Sequence, residues 1–174
     1  MRARAIVAWA SLSAEAGGRI EAIRKEHDPN AGRIAAHFTL LFPTGALGKD
    51  MLATRATSAA AETAPFRFML RRLAVHEDPA STYVFLMPQD GDAELTALHR
   101  HLNASEGPSP DFRPHVTIAR FPRAERAQAF ALAECLVDDP IAVEGWIRRL
   151  GLVEIDDAGE VQVVRSFDLR GAAR

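Results

Sequence analysis

Two short segments of the chain place the same pair of chemically useful side chains two residues apart: His37-Phe38-Thr39 and His115-Val116-Thr117. Histidine has an unperturbed pKa of about 6.5, so two of them sharing a site can hold one neutral and one protonated ring near neutral pH. One imidazole then takes a proton from water while the other gives one to a leaving oxygen, each step contributing typically ~10²–10⁴-fold. A threonine one pleat along offers its hydroxyl to the non-bridging oxygens of a phosphate and to the charge that grows on them. Together these groups suit in-line attack at phosphorus, and the chemistry requires no metal. Arg120, three residues after Thr117, adds a charged fork of the shape phosphate prefers.

Chance gives few such triplets. Six histidines and eight threonines among 174 residues produce about 0.3 His-x-Thr by accident, whereas two occur, each in a strand-like context. The competing reading is a pair of satisfied core histidines. Against it, alternate strand residues face opposite ways, so Phe38 and Leu40, like Val116 and Ile118, fill an apolar face and leave His and Thr on the other.

The elements that must position these residues are legible from periodicity and breakers. Ala3 to Trp9 reads as a buried strand and Ala14 to His27 as a helix, ending before the loop Asp28-Pro29-Asn30-Ala31-Gly32. Residues 36 to 42 form a strand closed by Pro43, 48 to 64 a helix stopped by Pro65, 66 to 75 a strand and 83 to 87 another. A helix from about Asp92 to Leu102 and a loop from Ser105 to Pro110 come next. The order then recurs: a strand from His115 to Ala119, Pro122, a helix from Arg123 to Leu136, Pro140 and a strand from Ile141 to Leu150. A hairpin through Asp156-Asp157-Ala158-Gly159 closes the chain.

Recurrence extends to single residues. Each His-x-Thr segment leads to a Phe-Pro, an Ala-rich helix and a strand containing Arg-Arg-Leu, at Arg71-Arg72-Leu73 and Arg148-Arg149-Leu150. Such a period implies a duplicated unit, here roughly residues 33–78 and 111–155 of one 174-residue domain. Two copies about a pseudo-twofold bring His37 and His115 to opposite walls of a central cleft. Because successive strand residues point oppositely, one Arg of each pair is expected to face that cleft.

Bulk properties narrow the class. With 48% hydrophobic and 25% charged residues and a net charge of −2, the chain reads as an ordinary globular protein without the strongly basic face that duplex-wrapping proteins use. A small or terminal phosphate fits that balance. The apolar run Ala5 to Ala10 is too short for a signal sequence or a membrane span, and a cytoplasmic protein is expected. The single Cys135 reads as a buried structural thiol.

The segments His37-Phe38-Thr39-Leu40-Leu41-Phe42-Pro43 and Arg113-Pro114-His115-Val116-Thr117-Ile118-Ala119-Arg120 resemble the paired His-x-Thr-x signatures of the 2H phosphoesterases, in particular the bacterial 2′-5′ RNA ligase-like branch. The resemblance spans essentially the whole chain. It implies an α+β, bilobal pseudo-twofold fold: two antiparallel sheets flank a central cleft, with helices outside. It also implies hydrolysis of 2′,3′-cyclic phosphate ends of RNA or nucleotides to 2′-phosphates, with weak reversible 2′-5′ RNA ligation in some members. By resemblance His37 is the general acid and His115 the base, roles the near-symmetric residues themselves leave open. Thr39 and Thr117 match phosphate-binding positions and Arg120 a basic residue that follows the second motif. In the first motif Leu41 or Phe42 stands in the place of that arginine.

The remaining candidates are secondary. Phe42, Tyr83 and Phe85 are candidates for stacking a base, against the commoner core role of strand aromatics. His99 and His101, two apart on a helix, face different directions and read as surface residues; His27 compensates a helix C-terminus, and His76 beside Glu77-Asp78 reads as an exposed turn residue. No cofactor or metal is expected, the partners are RNA ends or small cyclic nucleotides, and a monomer is the default. Two alternatives remain: a non-catalytic nucleotide or RNA-end binding module using the same cleft, and a metal-dependent phosphohydrolase built around Asp90, Asp92, His99 and His101.

Overall fold

The computed structural model describes residues 2–105, 107–138 and 141–172. Pro140, expected to open a strand, and Glu106, within the expected 105–110 loop, lie outside the described residues. In chain order the elements are β1 (Ala3–Leu12), α1 (Ala14–His27), β2 (His37–Thr44), α2 (Lys49–Glu62), β3 (Phe66–Glu77), β4 (Ser81–Asp90), α3 (Asp92–Leu102), β5 (Val116–Pro122), a 3₁₀ turn (Arg123–Glu125), α4 (Arg126–Asp138), β6 (Val143–Ile155) and β7 (Val161–Asp168). A β-α-β-α-β order thus runs twice, β1 to β3 and β4 to β6. β1 and β4 begin and end 78 residues apart, the spacing that also separates His37 from His115.

Among the described residues all seven strands join one open antiparallel sheet, ordered β2-β1-β6-β3-β4-β5, with β7 also on β6. The long strand β6 makes this possible. β1 pairs along one of its edges from Gly145 to Ile155, while its other edge takes β3 over Val143 to Ile147 and then β7 over Arg149 to Ile155. The two sheets expected from the sequence are therefore two limbs, β2-β1-β6-β7 and β5-β4-β3-β6, related by the pseudo-twofold and hydrogen-bonded into one sheet through β6. Both motif strands, β2 and β5, are edge strands, and they approach each other across the curled sheet.

Strand alternation sorts the side chains as their types demand. Phe38 and Leu40 of β2, Val116 and Ile118 of β5, and Phe68 of β3 are buried with Ile20, Leu95 and Leu98 in one core under the helices. Each such side chain removed from water contributes about 1.5–3 kcal/mol. The helices cross between halves: α1 packs chiefly on β5, and α3 packs on β2. Each half's first helix thus backs the other half's motif strand.

Several boundaries depart from the sequence reading, each for a local reason. Pro43, expected to close its strand, lies inside β2, and β5, expected to end at Ala119, runs on to Pro122; an edge strand has one side whose N–H groups pair with nothing, so proline is tolerated there. β3 runs on to Glu77, because Asp78 makes the turn instead: its Oδ1 accepts the amides of Ala80 (2.7 Å) and Ser81 (2.6 Å). Both arginines of each Arg-Arg pair are exposed. The pairs sit where the β3–β4 and β1–β6 registers slip, and a bulge suspends the alternation on which the one-in, one-out expectation rested.

A buried ion cluster fastens α1 to the segment that leads into β2. Arg24, 1% exposed, donates from Nε and Nη2 to Asp28 Oδ2 (3.1 and 3.0 Å), from Nη1 to Glu21 Oε1 (2.7 Å) and from Nη2 to the Ile34 carbonyl (2.8 Å). Glu21 Oε1 also accepts the Ala36 amide at 2.9 Å. The guanidinium fork thereby ties down a stretch of chain that would otherwise form an open loop.

This packing sets the cost of two substitutions. A Cβ on Gly145 would stand 2.5 Å from Phe68 Cζ and 2.7 Å from Leu12 Cδ2, so Gly145→Ala is expected to cost about 1–3 kcal/mol in urea unfolding. Arg24→Leu strands the buried Asp28 carboxylate and is expected to cost about 3–5 kcal/mol. The double variant Arg24→Leu/Asp28→Leu should recover most of that loss, and an equal loss in single and double variants would deny the pair its role.

Candidate active site

The two histidines are anchored in the same way. His37 Nδ1 lies 2.8 Å from the Ala35 carbonyl and His115 Nδ1 2.7 Å from the Arg113 carbonyl, each two residues back along the chain. A carbonyl only accepts, so Nδ1 carries the hydrogen in both rings and Nε2 is the nitrogen left to exchange a proton. Burial in the cleft walls lowers the pKa of each imidazole below 6.5, opposed in each by the backbone hydrogen bond. Smaller contributions differ: Arg24 lowers and Asp28 raises His37, whereas the imidazole of His76 lowers His115.

What holds each lead-in segment also differs. Glu21 grips the backbone at Ala36. At the equivalent place in the second half, 78 residues on, stands His99, whose ring stacks on Phe112 with centroids 3.8 Å apart and planes 1° from parallel. His99 is 3% exposed, not the surface residue expected, because α3 turns it inward: its Nδ1–H donates to the Leu40 carbonyl of β2 at 2.8 Å. The Asn103 amide donates to the same carbonyl at 3.1 Å. His99 therefore touches both motif segments at once. His101 faces elsewhere, toward Ser58 and Glu62, and no three His, Cys, Asp or Glu side chains converge to hold a metal among the described residues.

Two cavities meet at the motifs. The larger, about 750 Å³, is lined by His115, Phe42, His76 and Phe85 among others; the smaller, about 310 Å³, by His37, Arg24, Asn30 and Arg120. Thr39, Thr117 and Tyr83 line both and form their common boundary. The register explains the convergence, since Thr39 pairs with Val7 on β1 while Thr117 pairs with Phe85 and Arg120 with Tyr83 on β4. Arg120 is braced by Nε on Ser81 Oγ at 3.1 Å and lies over the Tyr83 ring at 5.6 Å. Backbone amides of Ser81 and Ala80, with lesser help from the Tyr83 hydroxyl and Arg120, hold the Asp78 carboxyl below its usual range.

The three aromatics do not share one role. Phe85, half-buried on the wall of the larger cavity, stacks on His115 (3.7 Å, 22°) and lies offset from the His76 ring (5.6 Å, 17°), so it backs His115. Phe42, 52% exposed, and Tyr83 remain on the cavity wall. His76 is exposed as expected, but on strand β3 and in the cavity rather than in a turn. The sequence reading missed it as a site residue, together with Trp9, whose ring lies 6.2 Å from that of His37. No motif marks either residue; only the pairing of β3 with β4 and β1 with β2 brings them in. Cys135, expected to be buried, is exposed on α4, and among the described residues no helix is long and apolar enough to cross a membrane.

Comparison with solved structures finds the same architecture. TT0787 of Thermus thermophilus superposes with a TM-score of 0.62 at 17% identity, covering 98% of this chain and 100% of that one. E. coli LigT, solved with NADP+ and also with 3′-AMP, gives TM-scores of 0.61 and 0.60 at 17% and 19% identity, over 97% of this chain and 98% of each LigT chain. Kluyveromyces marxianus Usb1 gives 0.60 at 10% identity, over 96% and 98%. At these identities the likeness shows the fold. No curated protein sequence matches the chain. The profile of the 2′-5′ RNA ligase superfamily matches residues 11–159, and with both histidine motifs inside that span the chain belongs to this superfamily, within the 2H phosphoesterases.

Proposed function

We propose that the protein is a metal-independent cyclic phosphodiesterase that opens 2′,3′-cyclic phosphate ends of RNA or nucleotides to 2′-phosphates. The observation that carries this reading is the matched pair of Nδ1–carbonyl bonds, which leaves two Nε2 atoms beside a boundary made of two threonines. In the proposed step His115 Nε2 takes a proton from water as the water oxygen bonds to phosphorus. The P–O3′ bond breaks, and His37 Nε2–H gives its proton to O3′. Thr39, Thr117 and Arg120 hold the non-bridging oxygens. A 5′-hydroxyl in place of water gives a 2′-5′ bond by the same proton movements.

The surroundings support these roles. Burial favours the neutral ring at both histidines against the backbone hydrogen bond of each, and the nearby His76 adds to it at His115, as a base needs. The Phe42 and Tyr83 side chains give the larger cavity the surface that unstacked bases use. The complexes of LigT with NADP+, 3′-AMP and ATP favour a nucleotide or RNA end as ligand, and the protein works as a monomer.

The test is phosphorus NMR of products from 2′,3′-cyclic nucleotides and a short RNA with a cyclic phosphate end, in excess EDTA. A 2′-phosphate should appear, and His37→Ala or His115→Ala should each lower the rate by ~10² or more. Turnover that survives loss of both histidines would reject the mechanism, and binding without turnover would favour a non-catalytic module.

The pH dependence carries a sign. Catalysis needs one ring protonated and one neutral, and both pKa values lie below 6.5 in the free protein, so kcat/KM should peak below pH 6.5 and fall as pH rises past it. The bound phosphate anion favours the protonated ring, so the alkaline limb of kcat should sit at higher pH than that of kcat/KM. A kcat/KM profile still rising above about pH 7 would contradict this.

A further inference from the structure

The sheet face that carries His37 continues beyond the cleft. On β1 the residues of that face are Ala5, Val7, Trp9 and Ser11, since Ile6, Ala8, Ala10 and Leu12 turn to the core. His37 pairs with Trp9, Ser11 with Trp146 of β6, and Trp146 with Arg67 of β3, and paired residues stand on the same face. Ser11, Arg67, Trp146 and Arg148 line a separate cavity of about 330 Å³ on that face.

Trp146 orders the charges there. The guanidinium carbon of Arg148 lies 4.5 Å from its ring centroid and that of Arg67 5.4 Å. Both side chains are exposed, and neither guanidinium has an ion pair or hydrogen bond with another described residue. Glu144 shares the cavity wall, and it leaves the pair of arginines in excess. An arginine placed over an indole face is held near one position while the donors at its guanidinium edge stay open, which suits a phosphate.

Distance identifies the occupant. Trp146 lies two residues along β1 and two strands across from His37, about 12 Å at ~3.3 Å per residue and ~4.8 Å per strand. At ~3.4 Å per nucleotide of a stacked strand that is roughly three nucleotides. The backbone of Trp9 lies between the two sites, while its indole leans the other way, over Gly151 and against Val7 and Val153, and leaves the path from His37 to Trp146 uncovered by that ring. An aromatic ring carrying two cationic groups, on the sheet face that holds the reacting site, is a feature that grips a single strand.

We propose that Arg67 and Arg148, set by Trp146, bind backbone phosphates of the single-stranded RNA behind the reacting end, so that the preferred substrate is an oligonucleotide of about four residues or more. This rests on the phosphodiesterase reading and specifies its substrate. The test is fluorescence anisotropy with labelled RNAs of one to six nucleotides ending in a 2′-phosphate, which do not turn over. Affinity should rise about 10-fold or more up to four nucleotides and then level. Arg67→Ala/Arg148→Ala should remove that gain, leave the nucleoside 2′-phosphate unaffected and reduce the salt slope by about 1.4, as for two phosphates on a single strand. In turnover, the double variant should lose kcat/KM on a hexamer with a cyclic phosphate end and retain it on a cyclic mononucleotide. Affinity independent of length, length dependence intact in the double variant, or equal displacement of the RNA by an oligoglutamate would overturn the proposal. Loss of turnover on every substrate by the unsubstituted protein, with the length dependence of its binding as expected, would instead sink the phosphodiesterase reading alone.

Discussion

The hydrogen bond from each imidazole Nδ1 to a carbonyl two residues earlier is the constraint on which the site depends. It fixes the tautomer, so that one nitrogen per ring is available for chemistry, and it ties the direction of that nitrogen to the backbone rather than to a free rotamer. A ring held by its own main chain is only as well placed as that main chain. The rest of the architecture can be understood as the means of holding two short lead-in segments still.

The two halves meet that need with different chemistry at equivalent positions. In the first half Glu21 and Arg24 build a buried ionic clasp around residues 28–36; in the second, His99 lies flat on Phe112 and bonds across to Leu40. The ionic clasp is strong only while complete, since one missing partner leaves a charge in low dielectric. The stacked ring couples the halves, because the side chain that supports the second motif is hydrogen-bonded to the strand of the first. The crossing of α1 onto β5 and α3 onto β2 makes such coupling possible, and a pair of independently folded lobes would lack it.

Pseudo-symmetry therefore sets the frame, and departures from it give direction. The His115 side opens into a larger cavity with aromatic walls, and the His37 side into a smaller one edged by Arg24, Asn30 and Arg120. A substrate with one apolar planar end and one polar end has a single way to lie across that boundary. The same asymmetry appears in the rings themselves, with opposed charges beside His37 and a second imidazole beside His115.

The sequence by itself determined the class of the fold, the repeated order of its elements and the identities of the paired His and Thr. Those features are local: strand alternation separates Phe38 and Leu40 from His37 and Thr39 without reference to any distant residue, and a 78-residue spacing is visible in the string of letters. Strand ends were read short wherever proline sat on an edge strand, because whether a strand is an edge is a property of the sheet. Only the tertiary structure turned His99 inward, laid Phe85 between His76 and His115 and exposed both arginines of each pair at bulges. Each of these depends on the register between strands far apart in sequence, which no periodicity encodes. The histidines could be named from the chain alone, but which nitrogen faces the cleft, and what holds it there, is decided by packing.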